Sequence, residues 1–411
     1  MTTTLQQPTS STPHKIHSGF LLLPGLIGFL FSFRTCLAVL FFQENFSVGT
    51  AVSTSFTVVL LLAAAFFSVG GRPTLPLSCF RTTTLRWIAA FFAFALLSIF
   101  WSAAPLTEAF GFWIAWTADV LTIWFLLRNG VAEAQAAAVM KGYIWGACIV
   151  AIIAWWLPVM PDLRLGDVDY LHPNAIGFVT AIGTLMAMHL AHQDKRWRWP
   201  AFWLALTLIR TISKTSIIAF FVAMIFYLFK DRALTRATRI KIGLAAAVIL
   251  GSLSGLLIAY FDAYAESTNP ETLTGRTIIW ATSGEIALEK PIFGHGFYSF
   301  HYVVPLFGEF LAAHAHNELL QQFFILGVAG VVLVVGLYWV FFRQIRRAPR
   351  SSLKTLAAGL LVFALVRGLA DTERNDLSLP LWLMAMLSIL LASQPIASTP
   401  PHQANPAKQS T

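Results

Sequence analysis

The sequence predicts an all-α, polytopic integral membrane protein of about twelve transmembrane helices with one long extracytoplasmic loop. Of its 411 residues, 57% are hydrophobic and only 11% are charged, which is more apolar surface than a water-soluble core can hide. Apolar runs recur along the chain, and most approach the ~20 residues that span a hydrocarbon core. Lys and Arg collect in short segments between alternate runs, a pattern typical of cytoplasmic loops.

The apolar runs define the predicted spans. The shorter runs need flanking residues that reach the interface, or packing against neighbours, to cross a bilayer. The runs lie at about residues 19–42, 53–69, 86–102, 109–127, 136–159, 174–192, 199–213, 215–229, 241–260, 318–342, 355–370 and 378–393.

The basic residues orient these spans. With the N-terminus inside, the inner segments hold 20 of the 28 Lys and Arg residues. This distribution predicts a multi-pass protein of the bacterial inner membrane with both termini in the cytoplasm. Residues 19–393 then form one membrane domain that includes the extracytoplasmic loop 261–317. The polar segments 1–18 and 394–411 are expected to be disordered cytoplasmic tails, the first of them retained rather than cleaved as a signal peptide.

Charge and cysteine content exclude two other classes of protein. The net charge of +9 is scattered over short loops, so nucleic acid is not an expected partner. The cysteines Cys36, Cys79 and Cys148 are far apart and lie in or beside apolar segments. They indicate neither a disulfide framework nor a zinc motif.

Eight of the 28 Lys and Arg residues break the topology pattern, and four of them become candidate binding or catalytic residues. Arg210 and Lys214 lie at the tip of the hairpin formed by the seventh and eighth runs, whose 31 residues are too few for two full spans. The tip is therefore predicted to be recessed, and two cations on one helical face there favour a bound anion. Arg276 lies in the extracytoplasmic loop, and Arg34 lies about fifteen residues into a span that starts inside.

Each of these cations has an alternative interpretation. Arg34 could pair with the intramembrane Asp119, and Arg210 and Lys214 could extend to the lipid headgroups. Other charges close to opposite charges in sequence are interpreted as solvated loop residues: Arg164, Glu373, Arg374 and Asp376.

Histidines are also concentrated on the predicted outer side, and His316 is the candidate base. A neutral imidazole can accept the proton of a sugar hydroxyl near neutral pH. If a helix begins near His316, residues two apart point about 200° away from each other, so only one of His314 and His316 faces the site. Asn317 and Glu318 follow directly. The predicted outer histidines are His172, His295, His301, His314 and His316.

Two other interpretations of this segment stay open. The first is a helix cap with Asn317 and Glu318 solvated. The second is a His-x-His metal site, for which the sequence shows no clear third ligand. The acidic pair Asp167 and Asp169 is interpreted as a simple loop. No cofactor and no metal are therefore predicted.

Several short motifs, in this order and spacing, make most of residues 20–390 resemble the superfamily of O-antigen ligases and polysaccharide polymerases. The His-Pro-Asn and Ser-Lys-Thr-Ser forms are most similar to its exopolysaccharide-polymerase branch. Many relatives have arginine at the position of Lys214, which weakens a bidentate grip on phosphate here. The motifs are Ser98-Ile99-Phe100-Trp101-Ser102-Ala103-Ala104-Pro105, His172-Pro173-Asn174-Ala175-Ile176-Gly177, Ser213-Lys214-Thr215-Ser216, Gly275-Arg276 with Trp280, Pro291-Ile292-Phe293-Gly294-His295-Gly296, and His316-Asn317-Glu318-Leu319-Leu320-Gln321.

The resemblance implies a membrane glycosyltransferase that polymerises undecaprenyl-diphosphate-linked repeat units into exopolysaccharide at the extracytoplasmic face. It implies a lipid-diphosphate glycan donor, a glycan acceptor and the lipid bilayer as partners, with a flippase and chain-length regulators beside them. His316, Arg210 and Arg276 would be catalytic. Substrate would bind to Lys214, Arg34, Asn317, Glu318 and His172.

Two alternative functions remain. An O-antigen ligase would transfer finished polymer to lipid A-core rather than extend it. A polysaccharide or small-solute transporter shares the layout of twelve spans with both ends inside, but transporters place their coupling charges near the membrane midplane. Here Asp119 is nearly the only such charge, and the polar residues gather at one face.

Overall fold

The computed structural model describes residues 21–42, 46–69, 74–128, 131–158, 160, 163–166, 171–230, 235–237, 239–241, 243–244, 273–307, 312–373 and 376–394. Within these ranges the chain is helical, as predicted. The helices are α1 (Leu22–Phe42), α2 (Phe46–Val69), α3 (Thr83–Ser98), α4 (Leu106–Arg128), α5 (Ala132–Trp156), α6 (Pro173–Ala191), α7 (Arg198–Arg210), α8 (Lys214–Lys230), α9 (Leu273–Ala287), α10 (Phe300–Val303), α11 (Glu318–Arg347), α12 (Ser352–Arg367) and α13 (Leu381–Ser393).

The predicted spans correspond to these helices wherever the chain is described. By length and hydropathy, five helical segments could cross a membrane: α3 with the turn that follows it, α4, α5, α6 and α11. Shorter apolar stretches lie in α1, α2 and α13. The ninth predicted span, 241–260, lies largely outside the described residues, as do the tails 1–18 and 395–411. The apolar helices identify the chain as a membrane protein.

The helices pack around a buried centre. α12 packs along α8 and contacts α6, while α6 also contacts α5, α7 and α8. Nearly every residue of α13 is buried, and this helix contacts α3, α4, α11 and α12. A helix that is apolar on all sides is expected in such a central place.

Five helix ends meet at one end of the bundle, called here the site end: the starts of α6, α8 and α11 and the ends of α7 and α12. α7 has only 13 residues, or about 20 Å of rise, which is short of a full span. Its turn to α8 passes through Ile212, whose φ is +53°. A side-chain carbon at Gly177 of α6 would lie 2.9 Å from Cβ of Ser213, so only glycine lets α6 approach this turn so closely.

The helix α11 is interrupted at Gly327, where φ is +66° and ψ is −161°. The segment 291–296 fills the interruption. His295 and Gly296 donate backbone hydrogen bonds to the carbonyls of Phe324 and Ile325, at 2.9 and 2.8 Å. Val328, on the other side of the break, donates to the carbonyl of Pro291 at 2.8 Å. The break thus fastens part of the predicted extracytoplasmic loop to the bundle.

Candidate functional site

The centre of the site end is a contact between an imidazole and a carboxylate. Nδ1 of His316, just before α11, lies 3.2 Å from Oδ1 of Asp371, just after α12. The Asp371 side chain is 1% exposed and that of His316 is 14% exposed. An ionised carboxylate can only accept, so Nδ1 carries the proton and Nε2 of His316 is left with its lone pair.

A buried arginine holds the carboxylate in place. Nη2 of Arg367, at the end of α12, lies 3.2 Å from Oδ2 of Asp371 and 2.8 Å from Oε1 of Glu373. Its guanidinium also lies over the ring of Phe178 in α6, with Cζ 4.3 Å from the ring centroid. Because Arg367 is only 2% exposed, its charge needs compensation, and these two carboxylates supply it together with the nearby Glu318.

These neighbours decide the charge of Asp371. Burial by itself would raise the pKa of its carboxyl, but the Arg367 guanidinium, the hydrogen bond with His316 and the charge of Arg276 outweigh burial. The pKa of Asp371 is therefore held well below its ordinary range. The carboxylate therefore stays ionised near neutral pH, which fixes the tautomer of His316.

Arg276 connects this pair to the hairpin tip. From α9, its Nη1 donates to Oγ1 of Thr215 at 3.1 Å and to the carbonyl of Ala370, the residue before Asp371. Trp280, one turn further along α9, donates from Nε1 to the carbonyl of Ala315 at 2.8 Å. The Gly275-Arg276 motif with Trp280 therefore holds α9 against both the hairpin tip and the segment that precedes α11.

Arg210 and Lys214 lie at the two sides of the same tip. Lys214 is the first residue of α8 and directly precedes Thr215, the contact of Arg276. Arg210 is the last residue of α7 and donates to the carbonyl of Leu163. All three cations therefore lie at the site end, and their contact with an anion stays a prediction.

The His-Pro-Asn motif at the start of α6 contacts the hairpin tip. Oδ1 of Asn174 accepts a hydrogen bond from Oγ of Ser213 at 2.9 Å and from Nη2 of Arg164 at 3.1 Å. The His172 ring accepts from the backbone N–H of Asn174 and so caps α6. His172 therefore has a structural contact, and its predicted contact with substrate stays a prediction.

Arg34 is placed differently from the other predicted cations. In α1, its Nη1 lies 2.6 Å from Oδ2 of Asp119 in α4, whose side chain is 4% exposed. This is the alternative pairing considered from the sequence. Since Asp119 balances its charge, Arg34 needs no bound anion, and its role with substrate stays a prediction.

Asn317 and Glu318 also have structural contacts. Asn317 caps α11 by accepting from the N–H of Leu320 at 2.9 Å, and its Nδ2 donates to the carbonyl of Leu369. Glu318 is buried rather than solvated, and its Oε2 accepts from the N–H of Ser378 at 2.6 Å. Both residues join the start of α11 to the segment after α12. Their contact with substrate stays a prediction.

Two sequence-based expectations need correction. α11 begins at Glu318, so His314 and His316 are not on a helix and do not point apart: their ring centroids are 4.2 Å apart. The φ of His316 is +49°, and this left-handed residue turns the chain so that both rings face Asp371. His314 differs from His316 in its partner, because its Nε2 lies 2.9 Å from the carbonyl oxygen of Thr372.

The second correction concerns charges interpreted as solvated. Glu373 bonds to the buried Arg367, and Arg164 bonds to Asn174, so both belong to the site end. Asp167, Asp169 and Arg374 lie outside the described residues. Sequence reasoning did not select Asp371 or Arg367 as site residues. Arg367 lies at the outer end of an apolar run, and an arginine there is a signal that a buried carboxylate is close.

The remaining motifs contact each other. Oγ of Ser98 accepts from the N–H of Phe297 at 3.0 Å, and Oγ of Ser102 donates to the carbonyl of the same residue at 2.7 Å. The His295 ring lies 2.9 Å from the carbonyl oxygen of Ile286. These contacts fix the end of α3 to the segment after α9.

The fold and the site end together define a class: a helical membrane protein that places an imidazole–carboxylate pair beside a group of fixed cations. Residues 199–335, which include the hairpin tip and His316, match the O-antigen ligase family. The chain is 26% identical over 294 residues to the exopolysaccharide production protein ExoQ of Rhizobium meliloti (strain 1021). That match covers 64% of this chain and 65% of the relative, so it spans slightly less than two thirds of the relative's length.

Both matches show that the chain is similar to the O-antigen ligase family and to ExoQ. The resemblance inferred from the motifs is thereby confirmed. Among solved structures, one described as "Structural coordination of polymerization and crosslinking by a peptidoglycan synthase complex" aligns over 75% of this chain and 95% of its own, with a TM-score of 0.45 and 12% identity.

Proposed function

We propose that this protein is a membrane glycosyltransferase that polymerises undecaprenyl-diphosphate-linked oligosaccharide units into exopolysaccharide at the extracytoplasmic face. The observation that supports this proposal most directly is the contact of His316 with Asp371 beside Arg276. One side of the site can accept a proton, and the other can stabilise an anion. Transfer of a sugar from a lipid diphosphate to a hydroxyl needs both.

In this mechanism His316 activates the acceptor. Its Nε2 takes the proton from the acceptor hydroxyl as that oxygen forms a bond to the anomeric carbon of the donor. The imidazolium that results is stabilised by Asp371, which Arg367 holds in position. The pairing resembles other base and carboxylate pairs in which the carboxylate orients the ring but is not itself protonated.

The leaving group is the lipid diphosphate. As the bond from the anomeric carbon to the diphosphate oxygen breaks, the electron pair stays on that oxygen and negative charge increases there. Arg276, Lys214 and Arg210 would stabilise this charge, since fixed cations need no reorganisation as it develops. We infer that Arg164, held beside them by Asn174, adds to the same positive field.

The topology is part of the proposal. Twelve spans with both termini inside would put the site end at the extracytoplasmic face, because the basic ends of α4, α8 and α11 lie at the other end of the bundle. A reporter fused within residues 265–310 should be active only outside the cytoplasm, and one fused within 343–354 only inside. The reverse pattern would contradict the orientation.

Analysis of the glycans made by a strain that lacks the gene distinguishes a polymerase from an O-antigen ligase. Loss of all polymer longer than one repeat unit is the expected result. Free polymer that no longer reaches lipid A would identify a ligase instead. Polymer of normal length and attachment would contradict both. A flippase and chain-length regulators are expected to act with a polymerase, so their genes should be intact in this strain.

A further inference from the structure

The structure supplies the third ligand that the sequence of the His-x-His segment lacks. His314, His316 and Asp371 each offer one ligand atom, and the three atoms lie within 4.8 Å of one another. Oδ1 of Asp371 is 3.2 Å from Nδ1 of His316 and 3.7 Å from Nε2 of His314. Ligand atoms held about 2.1 Å from a tetrahedral zinc ion are about 3.4 Å apart, so both distances suit one shared ion.

The chemistry of the three donors selects the kind of ion. Two imidazoles and one carboxylate suit zinc and similar transition metals, whereas magnesium prefers oxygen donors only. The second carboxylate oxygen of Asp371 is bound to Arg367, which is the outer-shell support that a ligating carboxylate usually has. Three protein ligands leave one tetrahedral position open.

The neighbouring charges limit the affinity but do not exclude the ion. Arg276 and Arg367 are close to Asp371, and their positive charges repel a metal ion bound there. Glu373 compensates Arg367 at 2.8 Å. His314 must also exchange its contact with the Thr372 carbonyl for the ion. We therefore expect a site of moderate affinity rather than the tight binding of a structural zinc centre.

We propose that His314, His316 and Asp371 form a binding site for a zinc-class divalent ion, and that an ion bound there inhibits the protein by occupying His316. Binding does not depend on the proposed function, whereas inhibition rests on it. An ion bound at Nδ1 of His316 uses the lone pair of that atom, so the single proton of the neutral ring moves from Nδ1 to Nε2. The ring could then no longer accept the acceptor proton at Nε2.

Cobalt titration of the purified full-length protein tests the binding. One Co²⁺ per chain should bind, give visible absorption bands typical of a tetrahedral ion, and be displaced by Zn²⁺. His314→Ala and Asp371→Asn should each lower the affinity at least tenfold. His301→Ala changes a predicted outer histidine outside this trio and should bind cobalt normally. If Asp371→Asn does not fold, His314→Ala decides, because the His314 ring is half-buried, whereas Asp371 is fully buried.

Polymer synthesis in membranes that contain the protein tests the inhibition. Zinc should stop synthesis, a chelator should restore it, and His314→Ala should keep a measurable rate that zinc no longer lowers. Absence of stoichiometric cobalt binding, or equal binding by His314→Ala, would overturn the site. Tight binding without any inhibition would overturn the inhibitory role and with it the assignment of His316 as the base. A protein that binds cobalt but makes no polymer under any condition would contradict the proposed function and not the metal site.

Discussion

Replacing His316 with alanine should lower the rate of saccharide transfer by about 10²–10⁴-fold, the usual contribution of a general base. The variant should insert normally and still bind the lipid donor, because the cations of the site end are unchanged. The measurement is the polymer formed per unit of protein, together with donor binding by the purified protein. A His316→Ala variant with near-normal transfer would remove the histidine-base mechanism.

Two matched variants sharpen this test. His314→Ala should keep a substantial part of the rate, since His314 contacts the Thr372 carbonyl rather than accepting a substrate proton. Asp371→Asn should lower kcat with little change in KM for the donor, because an amide cannot stabilise the imidazolium charge. If His314→Ala were inactive and His316→Ala active, the two histidines would have to exchange roles.

The pH dependence follows from the same pair. A base must be neutral to accept a proton, so transfer should fall as the pH becomes acidic. Asp371 should not add a second acidic limb, because its pKa is held below its ordinary range and it stays ionised throughout. A plot of kcat against pH should therefore fall on the acid side with the slope of a single protonation.

Replacing Arg276 with alanine is the second change with a large expected effect, a loss of about 10²–10³-fold in kcat. Arg276 is proposed to stabilise the diphosphate, and it also donates to the Ala370 carbonyl beside Asp371, so its removal should affect both halves of the site. Lys214→Ala and Arg210→Ala should have smaller effects in the same direction. Lys214→Arg should be tolerated or improve transfer, since a guanidinium can grip phosphate with two parallel hydrogen bonds.

Arg347→Ala is the matched control for these variants. Arg347 is an exposed arginine at the end of α11 away from the site end, and its loss should leave transfer unchanged. Transfer is measured at matched protein level, and donor concentration is varied to separate kcat from KM. Normal transfer by the alanine variants of Arg276, Lys214 and Arg210 would remove the proposed anion site.

The helical spans were predictable because the signal for them is local. A run of about 20 apolar residues must become a helix in lipid, where no water can satisfy an open backbone. The hairpin tip was predictable for a similar reason, since two short runs with Arg210 and Lys214 between them leave few other arrangements. The motif residues around Arg276 and His316 could likewise be selected before any contact was known.

The partners of these residues were decided only by tertiary structure. Asp371 lies 55 residues after His316 in the chain, and nothing in the sequence pairs them. In the sequence, Asp371 looks like a solvated carboxylate. The packing of α12 against α6 and α8 buries Arg367, and a buried arginine needs a counter-charge, which Asp371 supplies. The orientation of His316 was equally hidden, because it depends on a left-handed φ before α11 rather than on helical periodicity. The sequence determined which residues could do the chemistry, and long-range packing determined which of them meet, because the cost of burying a charge depends on neighbours that are distant in the chain.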